Sequence, residues 1–145
     1  MPITKSILKN TKRQAVVKLT GTGTATVDIF ELKYVGANTL AYGSSVRLHD
    51  QSVSPANVEL MITDLMYDVS TTSNITRNSN VIWTMNAGSA NFGFAKDIGV
   101  VLNQDANANV VVNIGGTANG TVLIGFTKGA GYNDPDLQGL QDFQR

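Results

Sequence analysis

The chain has 145 residues, with eleven Lys+Arg against eleven Asp+Glu and a formal net charge of zero. That length predicts one domain with enough chain to bury a core, and the charge balance excludes a general nucleic-acid binder, which carries a net basic footprint. Hydrophobic content of 42% excludes wholesale disorder, no run approaches the ~20 apolar residues of a helical membrane span, and zero cysteines exclude disulfides and thiolate chemistry.

Residues 1–13 carry Lys5, Lys9, Lys12 and Arg13 and no acid, with Ile3, Ile7 and Leu8 between them. They lack the apolar stretch of a secretion signal and are expected to form an extended N-terminal arm. Residues 14–130 are expected to form the domain. Gln14 to Leu19 reads as a Val-rich strand, followed by the Gly-rich corner Thr20-Gly-Thr-Gly-Thr24. Thr26 to Leu32 reads as a second strand with mixed alternation.

Residues 34–57 are irregular, with short strands expected at 39–42 and 45–48. Val58 to Val69 is the strongest apolar run. Val58, Leu60 and Ile62 share one parity and Leu65 takes the other, so a strand here needs a β-bulge near Thr63-Asp64. Further strands are expected at 74–77, 81–85, 91–95, 99–102, 109–114 and 121–128. Residues 131–145 form a C-terminal tail in which Asp134-Pro135 would open a short helix and Leu137, Leu140 and Phe143 make a loose apolar stripe. Val and Thr favour pleated strands, while Gly and Asn favour tight turns. The fold expected is all-β: a single antiparallel β-sandwich, jelly-roll-like, with an N-terminal arm and a C-terminal tail.

Few residue groups suggest catalysis or metal binding. The single histidine, His49, beside Asp50, excludes a multi-histidine metal site, and no nucleophile elbow accompanies it. Asp64 and Asp68, four apart beside Glu59, read as carboxylates that face solvent or end a strand. Asn103, Asp105, Asn107 and Asn109 alternate like calcium ligands. However, the sixth loop position is Ala108 and the twelfth is Ile114, where a calcium loop needs Gly and Glu. The segment is therefore read as a polar turn. Asn74 and Asn119 open sequons, read as incidental. Trp83, Phe92 and Phe94 are either core or a sugar-stacking platform. No catalytic residue, cofactor or metal is expected.

The segment Ile7 to Lys18 with its following GTGTAT, the segment Ser73 to Arg77, and the segments Val110 to Gly116, Gly120 to Ile124, Thr127-Lys128 and Gly131-Tyr132 together resemble the small all-β virion structural proteins of tailed bacteriophages, notably marine and cyanobacterial ones. Residues 34–57 and the Asp134-Pro135-Asp136 tail lie outside the resemblance. It implies a non-enzymatic virion protein, assembled in the bacterial cytoplasm, that decorates or cements the capsid by binding adjacent major capsid protein subunits. The partners it implies are that protein, other virion proteins or like copies. The alternative is a neck-, tail- or fibre-associated protein, either structural or a carbohydrate-binding adhesion module. The first twenty residues hold five basic groups and no acid, and the last seventeen hold three acids and Arg145. The contact residues expected are accordingly Lys5, Ile7, Leu8, Lys9, Lys12 and Arg13 in the arm, and Tyr132, Leu137, Leu140 and Phe143 in the tail.

Overall fold

The computed structural model describes residues 2–34, 52–93 and 105–133. The strands expected at 39–42, 45–48 and 99–102, together with His49, Phe94 and tail residues 134–145, lie outside these. Among the described residues the chain is all strand and turn. In order the strands are β1 (Thr4–Asn10), β2 (Gln14–Gly21), β3 (Gly23–Val27), β4 (Ser52–Val53), β5 (Leu60–Val69), β6 (Ser73–Arg77), β7 (Asn80–Met85), β8 (Gly88–Gly93), β9 (Val110–Ile114), β10 (Gly120–Lys128) and β11 (Tyr132–Asn133).

They form a five-stranded sheet in the order β1-β2-β10-β5-β8 and a four-stranded sheet in the order β3-β9-β6-β7, with a two-stranded β11-β4 ladder. Every pairing is antiparallel. Strict alternation assigns the faces. Ala15, Val17 and Leu19 of β2 point inward with Val122, Ile124 and Phe126 of β10, and they meet Val110, Val112 and Ile114 of β9 and Ile75 of β6 in one hydrophobic cluster. The result is β-sandwich-like. Burying each such aliphatic side chain is worth about 1.5–3 kcal/mol.

The β-bulge near Thr63 is present. Gly125 pairs with Asp64 and Phe126 with Ile62, so Thr63 is the extra residue. It switches the parity of β5, which lets both Ile62 and Leu65 reach the core. The chain passes between sheets at Gly21 and Gly23, whose φ values of 134° and 114° suit glycine. A Cβ on Gly21 would lie 2.6 Å from the Pro2 carbonyl oxygen, because the N-terminus crosses there.

Two expectations are corrected. Residues 1–13 contain no detached arm, because Thr4–Asn10 pairs along β2 as the edge strand, with a register shift between Ile7 and Lys9. The backbone groups of β1 complete the ladder on the free edge of β2. The strand expected through Leu32 ends at Val27. Asp28 ends it, since its Oδ1 accepts from the Phe30 N–H (2.8 Å) and its carbonyl oxygen accepts from the Glu31 N–H (3.1 Å), forming a turn.

Candidate functional site

The turn at residues 28–33 bonds to β1 from a different part of the chain. Lys5 Nζ donates to Glu31 Oε1 at 2.6 Å and to the Thr26 carbonyl at 2.8 Å, and Asn10 Nδ2 donates to the Lys33 carbonyl at 3.2 Å. Lys5, expected to contact a partner, is therefore held by its own domain. Lys9 Nζ donates to Gln14 Oε1. Ile7 and Leu8 remain 42% and 57% exposed, and Phe30 is 48% exposed. Lys12 is half-buried and Arg13 exposed, both in the β1–β2 turn.

Tyr132 does not lie on the surface as expected. It is buried, and its hydroxyl donates to the Ile29 carbonyl at 2.6 Å. Burial pushes its phenol well above the ordinary tyrosine range, against the opposing pull of Arg77. Leu137, Leu140 and Phe143 lie outside the described residues.

Two buried cations close this end of the sandwich. Arg77 is fully buried on β6 and meets only backbone carbonyls: Leu60 at 2.6 Å, Ala106 at 2.8 Å, and Ala108 through Nε at 3.1 Å and Nη2 at 2.7 Å. Burial lowers it to about 10 from 12.5, offset in part by Tyr132 and Asp105. Lys128, 3% exposed, donates to Asn10 Oδ1 (2.5 Å) and the Thr11 carbonyl (2.7 Å), and its ammonium lies 5.4 Å from the Tyr132 ring centroid. Burial lowers it to about 8. These groups are fully occupied in bracing loops.

Two members of the Asn/Asp alternation near residue 105 bond within the domain, while Asn107 is exposed and Asn103 lies outside the described residues. Asp105 Oδ2 accepts from Asn80 Nδ2 at 3.0 Å, and Asn109 Oδ1 accepts from the Ile29 N–H at 2.9 Å. Among the described residues no group of three or more His, Asp or Glu side chains is placed to hold a metal ion. Asp64 and Asp68 face solvent, one of the two placements expected, and Glu59 is exposed beside them. Trp83 is half-buried and packs against the core, and Asn74 Oδ1 accepts from Asn113 Nδ2 at 2.8 Å.

The surface best shaped for a partner is the outer face of the five-stranded sheet. A groove of about 660 Å³ runs across it, lined by Leu8, Lys18, Met66, Asn91 and Leu123 among others. A depression of about 270 Å³ beside Val16, Asp64 and Gly125 continues it, sharing Met66, Asn91 and Leu123. Register explains the composition. Lys18, Leu123, Met66 and Asn91 form one row across four strands. One row to either side on β5 lie Asp64 and Asp68. Lys18, Asp64 and Asp68 are exposed and join no ion pair among the described residues. Of the expected contact residues that lie among the described ones, only Leu8 lines this groove. The signal for the rest lay in outward positions holding Val16, Leu123 and Met66, where an uncovered sheet face carries polar side chains.

No protein-family model, curated protein or solved structure matches the chain.

Proposed function

We propose that the chain is a non-enzymatic structural protein of a tailed-phage virion, which decorates or cements the capsid by binding adjacent major capsid protein subunits. The observation that carries this reading is the pairing order. β2 pairs with β10, β3 with β9, β5 with β8 and β6 with β7, each pair nested inside the one before. This nesting supports reading the eight strands as an antiparallel ribbon rolled in jelly-roll fashion, an arrangement that viral capsid proteins and lectins use. To it the chain adds β1, an edge strand bearing exposed Ile7, with Lys9, Lys12 and Arg13 following. In this reading that edge is the capsid-facing surface. Each contact is weak, and repetition across a lattice raises the effective concentration.

The test is the copy number in purified virions, by quantitative mass spectrometry against the major capsid protein. A fixed ratio to the capsid lattice is the expected result, and absence from the particle overturns the reading. An Ile7→Asp/Lys9→Glu variant is expected to lose at least about tenfold in particle binding with unchanged melting. Deleting residues 1–13 is a poorer probe, because it strips β1 from the sheet.

The second reading is a neck, tail or fibre protein that binds glycan. It is favoured by the groove beside Tyr67, Asp68 and Asn91. A handful of copies per particle together with retention on a glycan array selects it.

A further inference from the structure

We infer that the outer face of the five-stranded sheet packs against the same face of a second copy of this chain, about a two-fold axis running along β10. The inference stands on the geometry of this face and not on the virion reading. β10 is the middle strand of five, with β2 and β5 on either side of it and β1 and β8 outermost. An axis along β10, lying between the two faces, therefore brings β2 of one copy over β5 of the other and β1 over β8.

Charge selects this axis. Lys18 on β2 and Met66 on β5 lie in the same row, each paired with Leu123. The axis along β10 keeps rows and exchanges columns, so Lys18 of one copy comes to lie above Met66 of the other. There it sits between Asp64 and Asp68, each two residues away along β5, about 7 Å. Leu123 meets its own counterpart on the axis. An axis across the strands instead keeps columns, stacking Lys18 on Lys18, which is repulsive. Asp64 already leans toward the axis: a Cβ on Gly125 of β10 would lie 3.0 Å from both its Cβ and its Oδ2.

The same operation that satisfies one Lys18 satisfies the other, as an isologous contact requires. Met66, 41% exposed, and Leu8, 57% exposed, are covered with it. Five strands about 4.8 Å apart and about 20 Å long give a face of roughly 400–500 Å² in projection, which puts the pair among weak, micromolar interfaces. Two β1 edges remain on opposite sides of such a dimer. If the edge is the capsid contact, one dimer bridges two sites.

The test is sedimentation equilibrium of the full chain from about 1 µM to about 1 mM, at low and high salt. A monomer–dimer equilibrium weakened by salt is expected. Lys18→Glu, and separately Asp64→Lys/Asp68→Lys, should each weaken self-association at least about tenfold with unchanged circular dichroism. Mixed together, the two variants should form a heterodimer. The glutamate introduced on β2 of one chain then faces the two lysines introduced on β5 of the other, while the unchanged Lys18 faces the unchanged aspartates. Leu123→Asp should abolish that heterodimer. A wild-type chain that stays monomeric throughout overturns the proposal, as does a dimer indifferent to Lys18→Glu, or variants that fail to pair with each other.

Discussion

The two sheets present opposite kinds of outer face. On the four-stranded sheet, Thr24, Asn113 and Asn74 lie in one row across three strands. Thr24 Oγ1 donates to Asn113 Oδ1, and Asn113 Nδ2 donates to Asn74 Oδ1. This row satisfies its own polar groups. On the five-stranded sheet the corresponding row runs Lys18-Leu123-Met66-Asn91, with aspartates flanking an apolar middle and no ion pair joining them. Neutral amides and hydroxyls within reach of one another close a surface. Charges held apart by aliphatic side chains leave it available to a partner. The difference is set by strand neighbours, not by overall polarity, because both faces mix polar and apolar residues.

The largest expected effect comes from the group that ties the two sheets together. Arg77 stands on β6 in the four-stranded sheet and donates to the Leu60 carbonyl on β5 in the other. Arg77→Met leaves the carbonyls of Leu60, Ala106 and Ala108 without their charged donor in a buried site. The expected loss is about 3–5 kcal/mol in urea unfolding, the scale of stranded buried polar groups. The loop at 105–108 should then become the first site of amide exchange. A loss under about 1 kcal/mol would mean that water replaces the guanidinium and that the sheets are held by apolar packing alone.

Most of the strand framework was legible, and the reason is periodicity. The parity switch between Ile62 and Leu65 called for a bulge, and the structure puts it at Thr63. Two errors were local. Thr26 to Leu32 alternates like a strand, but Asp28 bonds its own following backbone and turns the chain. Residues 4–10 look like a solvated arm because their pairing partner, β2, is a matter of tertiary structure. The buried cations were readable and were missed. Ser73, Ile75 and Arg77 share one parity, as do Val122, Ile124, Phe126 and Lys128, and all of them point inward. Charge normally assigns a residue to solvent, so the parity signal was set aside. The docking face was least legible, since Lys18 and the two aspartates become neighbours only through β10.

Lys128, the buried cation of the five-stranded sheet, adds a pH dependence to the comparison. Lys128 titrates at about 8 folded, against 10.5 for the free side chain. Between those values the unfolded chain holds a proton that the folded chain has released, so stability rises with pH there, by up to about 1 kcal/mol per pH unit. Below about pH 8 both states are protonated and the cost of burying the charge is felt in full. Tyr132, pushed upward by burial, acts in the opposite direction above pH 10, and Arg77, lowered by burial to about 10, adds a rise of its own from about pH 9 upward. Unfolding measured from about pH 7.5 to about pH 9 should therefore show a rise that Lys128→Met removes. A flat wild-type profile would mean that the Asn10 and Thr11 acceptors fully offset the burial.

The smallest effects separate the two faces most cleanly, because they should cross. Asn113→Ala breaks the polar row of the four-stranded sheet and should lower stability by about 1 kcal/mol, the net value of such hydrogen bonds, while leaving self-association untouched. Lys18→Glu breaks nothing within the monomer. It should change unfolding of the dilute chain by less than about 0.5 kcal/mol and yet weaken association. Urea melts and sedimentation on the same two variants give all four values. Should Lys18→Glu instead lower monomer stability as much as Asn113→Ala, Lys18 is engaged within its own domain. The outer face of the five-stranded sheet is then closed in the same way as its counterpart, and the contrast between the sheets disappears.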